Sequence, residues 1–172
     1  MKNFFFGALF TLVVLALGGL AYLRLGFAEV AADIPPGRLE TVLMFSSAHA
    51  AVRRRAPEMP NPVQATDANL LAGGKIYLGE CAGCHGTPGK PEDLHDSLYP
   101  PIPQLPKSGT DYTEAQIFWV AKHGIRMSGM FANGKWDDDQ KLWTVAAYIK
   151  RIKSIPPGVQ AELNKPPAPQ SK

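Results

Sequence analysis

The sequence predicts an all-α protein. No segment alternates convincingly between apolar and polar residues with period two, as a half-buried strand would. Apolar residues instead recur at helical spacing, between residues that start and stop helices. The chain has 172 residues, which suits one ordinary domain with extensions.

The first element is an uncharged run from Phe4 to Tyr22, FFFGALFTLVVLALGGLAY. Nineteen residues at about 1.5 Å each nearly match a bilayer's hydrocarbon core. Lys2 and the amino terminus precede it, so the start should stay cytoplasmic and the rest should be exported. Two readings compete: a retained anchor over residues 1–25, or a signal cleaved after the small residues Val30 and Ala32. Signal cores usually span about 7–15 residues, which favours the anchor.

After the helix-breaking IPPG at 34–37, Leu39, Val42, Leu43, Ser46, Ala50 and Val52 recur at helical spacing. They predict an amphipathic helix over 38–55, ending in Arg53-Arg54-Arg55 and stopped by Pro57. Arginines there suit the negative end of the helix dipole; lipid headgroups or an acidic partner are further uses. PEMPNPVQAT then reads as an extended linker, which completes a segment from 33 to 66.

Thr66 or Asp67 can cap a helix over about 68–80. A second helix spans 113–122, with Gly124 as its stop. Asp137 and Gln140 have capping-box spacing at the head of a third, DDDQKLWTVAAYIKRI, ended by Pro156-Pro157. A Pro-rich loop, PEDLHDSLYPPIPQLP, lies between, and the tail at 154–172 reads as disordered.

The net charge is +3. From Asp67 to Lys153, however, ten Lys and Arg face ten Asp and Glu, so the central domain is neutral. That excludes a nucleic-acid footprint and leaves no nucleic-acid partner to expect.

Both cysteines of the chain lie in one stretch, LGECAGCHG, as Cys81 and Cys84, followed at once by His85. A disulfide between them would close a very small loop and stabilise little. A thioredoxin-type dithiol needs strands around it, and structural zinc needs further paired ligands. Haem attachment needs two thiols for the two vinyl groups and an imidazole immediately afterwards. C-x-x-C-H supplies all three. Downstream, HGIRMSGMFANG offers His123, Met127 and Met130 as a sixth ligand, among glycines that let backbone pass close to a flat ring.

At this point residues 69–153, about half the chain, resemble the class I c-type cytochromes, with the cysteine motif in place. Gly73 and Tyr77 stand eight and four residues before Cys81. Val145 and Tyr148 match the aliphatic and aromatic pair of that family's C-terminal helix. Gly124-Ile125-Arg126-Met127-Ser128-Gly129-Met130 resembles its distal loop, with Phe131 where the family has proline. The resemblance implies a class I cytochrome c-like domain over 67–153 carrying one haem c on Cys81 and Cys84. It implies His85 and Met130 as iron ligands, with Met127 as a packing residue. Pro101 or Pro103 would offer a carbonyl to His85. Trp136 is a candidate donor to a haem propionate, whereas Trp119 is expected in the core. His123 is expected to end its helix, and His49 and His95 receive no role.

Anchor and haem motif together lead to a membrane-tethered, periplasmic, single-pass one-electron carrier of the bacterial inner membrane, not an enzyme. It would serve redox partner proteins in a respiratory or dehydrogenase-linked chain. One alternative is a dedicated subunit of a larger membrane oxidoreductase, with the 38–55 helix docking it. Another is a haem enzyme or gas sensor with a displaceable sixth ligand.

Overall fold

The computed structural model describes residues 2–90 and 98–165. It comprises two compact units, residues 1–36 and 37–172. The first holds helix α1, Lys2–Arg24. Its most apolar 18-residue stretch has a mean hydropathy of 2.3, and none of the helix is buried. By length and composition α1 is the one candidate membrane span among the described residues.

The second unit is helical, with no strand among its described residues. Helix α2 covers Arg38–Arg55, the range the sequence predicts. Val52 is 2% exposed. Thr41 and Ala48, which share its face, are half-buried, and the Thr41 hydroxyl lies 3.4 Å from that of Tyr99. Leu39, Val42 and Leu43 are 73%, 64% and 51% exposed. The apolar stripe therefore points away from the domain, and Val52, counted with it, belongs to the opposite face.

The linker is extended but strapped down. Asn61 Nδ2 donates to Glu114 Oε2 at 2.6 Å and to the Trp143 carbonyl at 3.0 Å, and Val63 is buried.

Helix α3, Asp67–Ile76, starts at Thr66, whose hydroxyl accepts from the Asn69 N–H. The predicted single helix over 68–80 does not run straight through. A π-turn at Tyr77–Cys81 widens it before the short helix α4, Ala82–His85. Such a turn shifts every later side chain around the helix. After the loop come α5, Leu105–Ser108, and α6, Glu114–His123. Thr113 and Gln116 form a reciprocal capping box at the head of α6, and Gly124 ends it at φ 65°. Helix α7 covers Asp139–Lys150 and is capped by Asp138, one residue beyond the predicted Asp137. Asp137 instead meets Lys141 Nζ at 2.6 Å, as does Glu80 at 2.5 Å.

The core lies where α3 and its π-turn, α6 and α7 meet. A Cβ on Gly73 would stand 2.5 Å from the Thr144 carbonyl oxygen and 2.8 Å from Tyr148 Cβ. Only glycine allows α3 and α7 to cross this closely. Tyr77 and Tyr148 fill the crossing with ring centroids 5.5 Å apart. Phe118 stacks on Trp143 at 4.0 Å, joining α6 to α7.

The tail corrects the expectation of disorder. Helix α7 ends before Pro156-Pro157, and Pro157–Leu163 forms a further helix, α8. Val159 is buried, and Leu163 lies where a Cβ on Gly74 would reach to 2.5 Å of it. Two apolar residues four apart suffice to dock so short a helix on α3. Residues 166–172 lie outside the described residues.

Candidate cofactor site

The π-turn and α4 carry Cys81, Cys84 and His85 at the end of a helix fixed by the Gly73 crossing. Cys81 is half-buried and Cys84 exposed, and they form no disulfide. Burial, with Glu80 and Asp137 nearby, pushes the Cys81 thiol up to about 12, so it stays protonated. Burial lowers His85 below the ordinary histidine range, more than its backbone partner raises it. A neutral imidazole is the form that binds a metal.

That partner is Pro103. Its carbonyl oxygen lies 2.9 Å from His85 Nδ1. Of the two prolines named from sequence, Pro103 is thus the one beside His85. With Nδ1–H donating to a carbonyl, Nε2 carries the lone pair that remains for a metal.

Further contacts hold this turn, and sequence reasoning missed them. The Tyr77 hydroxyl donates to the Gly86 carbonyl at 2.7 Å and reaches the His85 carbonyl at 3.2 Å. Gln104 Nε2 donates to the Cys84 carbonyl at 3.1 Å. Gly86 sits at φ 81°, and its missing side chain leaves room for Gln104 Oε1. Tyr77 was visible in the sequence as a packing residue only. Gln104 has no spacing relation to the cysteines, so only the adjacency of Pro103 pointed toward it.

The distal loop begins at Gly124, where a Cβ would stand 2.5 Å from the Met130 carbonyl oxygen. The loop closes on itself: Ile125 N–H donates to that oxygen at 3.0 Å, and the Ser128 hydroxyl accepts from Met130 N–H at 3.1 Å. Met130 is half-buried, whereas Met127 is 92% exposed at φ 57°. Gly129 faces Leu98, whose Cδ1 would lie 3.1 Å from a Cβ there. Trp136 is 72% exposed and meets Phe131 edge-on at 5.9 Å. Trp119, expected in the core, is half-buried against His123 at 5.0 Å. His49 stands 5.1 Å from Tyr112, and His95 lies outside the described residues.

The donor set suits haem c. Two unpaired thiols and a neutral imidazole with one nitrogen tied lie within five residues, across the π-turn and α4. Among the described residues no group of three or more His, Cys, Asp and Glu is placed to share a metal ion. Helix order, the Gly73 crossing and this set together have the fold of a class I cytochrome c-like domain.

Residues 68–149 match the family described as cytochrome c oxidase, cbb3-type, subunit III. The match spans just under half of the chain and points to haem-based electron transfer. Among solved structures it is similar to a chain of the reducing HAO-like protein complex of Kuenenia stuttgartiensis. Identity is 21%, over 53% of this chain and 46% of that one, with a TM-score of 0.45. No curated protein matches.

Proposed function

We propose that this protein is a membrane-anchored monohaem c-type cytochrome that passes single electrons between partner proteins on the periplasmic face of a bacterial inner membrane. Cys81 and Cys84 would hold haem c by thioether bonds, with His85 Nε2 and the Met130 thioether as axial ligands. Bound there, haem c supplies a one-electron ferric–ferrous couple. The observation that carries this reading is the 2.9 Å contact of His85 Nδ1 with the Pro103 carbonyl, beside two unpaired thiols.

Each residue has a physical task. Pro103 fixes the His85 tautomer and ring direction and raises the basicity of Nε2. Tyr77 and Gln104 pin the carbonyls on either side of that imidazole. Met130 offers a soft sulfur that favours ferrous iron and raises the potential. With His85 and Met130 both holding the iron, no position would be left for a substrate, and the chemistry supplied would be outer-sphere transfer. Helix α1 anchors the chain, which places the attachment motif on the exported side.

Mass spectrometry of the protein extracted from membranes tests this directly. The expected mass is the full chain plus one haem. A mass equal to the polypeptide alone overturns the haem reading, and loss of the residues preceding Asp33 overturns the anchor. A stoichiometric partner surviving purification in mild detergent would make the protein a fixed subunit rather than a shuttle.

A further inference from the structure

We infer that α2 is an interfacial helix that lies on the surface of the bilayer, its occupant being lipid and not a protein. This rests on the reading of α1 as a membrane anchor.

The inference starts from the orientation of α2. Thr41, Ala48 and Val52 face the domain, and the His49 ring adds a contact with Tyr112. On the other side Leu39, Val42 and Leu43 form a continuous stripe, each more than half exposed. Together they are an apolar patch on a helix whose own domain does not cover it. Such a patch marks a surface for membrane or partner.

Three observations favour lipid. First, Arg53 and Arg54 follow the stripe and are exposed, and no ion pair among the described residues engages them. Guanidinium groups beyond an apolar stripe complement anionic headgroups. Second, the 13 residues between Arg24 and Arg38 span at most about 45 Å. Tethering so short a distance from the end of a span makes contact with the bilayer effectively intramolecular, so a small apolar area suffices. Third, the domain over 67–153 has no net charge of its own with which to approach a lipid surface.

The consequence is functional. A cytochrome tethered by α1 alone would swing on its linker. With α2 seated at the headgroups, it would present one fixed side of the domain to partners in the same membrane.

Lipid photocrosslinking of the full-length, haem-loaded chain tests this. The vesicles contain phosphatidylethanolamine and phosphatidylglycerol with a diazirine in one acyl chain. Trypsin releases the stripe as a single peptide, residues 39–53, and releases residues 3–24 and 108–122 as references. We expect several-fold more lipid adduct on 39–53 than on 108–122. Replacing phosphatidylglycerol by phosphatidylcholine should reduce that excess. Leu39→Ser, Val42→Ser and Leu43→Ser together should abolish it while residues 3–24 stay labelled; these side chains are exposed, so the fold is unaffected.

If residues 3–24 are labelled and 39–53 only at the level of 108–122, the inference is overturned and the anchor stands. If neither is labelled, the anchor reading fails as well. A crosslink from 39–53 to a second copy, in place of lipid adducts, also overturns it.

Discussion

His85 Nδ1 and the carbonyl oxygen of Pro103 lie 2.9 Å apart, although eighteen residues separate them in the chain. This one contact joins the short helix bearing the cysteines to the loop after it. It also decides which imidazole nitrogen remains for a metal. Pro103→Gly keeps the carbonyl but frees its backbone, so the hydrogen bond should weaken and the imidazole should become a poorer donor. Ferric iron depends more on that donation, so the reduction potential should rise. A tenfold change in relative ferric affinity corresponds to about 59 mV for one electron, and we expect less than that. Potentiometric titration checks it, with Pro101→Gly expected to leave the potential unchanged.

Met130 and Met127 should separate cleanly. Met130→Ala is expected to lower the potential and to let carbon monoxide bind the reduced protein. Met127→Ala, at an exposed position, should do neither. Carbon monoxide difference spectra with redox titration of both variants decide the assignment. The reverse pattern would transfer the ligand role to Met127.

The thiols can be tested by extraction. Acid–acetone treatment should leave haem on the wild-type chain and on neither Cys81→Ala/Cys84→Ala nor a mock-loaded control. A haem stain persisting on the double variant would mean that the cysteines hold nothing.

Gly73 and Gly79 make a matched pair for the helix crossing. Gly73→Ala drives a methyl against the Thr144 carbonyl oxygen and the backbone-proximal Tyr148 Cβ. Neither can move without separating α3 from α7, so we expect a loss of about 1–3 kcal/mol. At Gly79 nothing lies within 4 Å of the place a methyl would take, and Gly79→Ala should be neutral or slightly stabilising. Thermal unfolding followed by circular dichroism reads both.

The Tyr77 hydroxyl anchors the buried Gly86 carbonyl at 2.7 Å. Tyr77→Phe retains the packing and orphans that acceptor, which should cost about 1–3 kcal/mol by thermal or denaturant unfolding. A variant as stable as wild type would mean that water replaces the hydroxyl.

Local signals carried much of this protein in the sequence itself. The span of α1, both ends of α2, the cap at Thr66, the stop at Gly124 and the glycine at the α3–α7 crossing each depend on residues a turn or two apart. The same is true of the cysteines and histidine, because their spacing is their chemistry. What tertiary structure alone decided involves residues distant in the chain. It chose Pro103 over Pro101 beside His85, set Gln104 and the Tyr77 hydroxyl on the turn, and folded α8 out of a Pro-rich tail. It also decided which face of α2 meets the domain. Helical periodicity identifies a face but not the side from which the domain approaches it. That choice is made by whichever few contacts pack best, here Val52, Ala48 and Thr41, and no pattern within the helix records it.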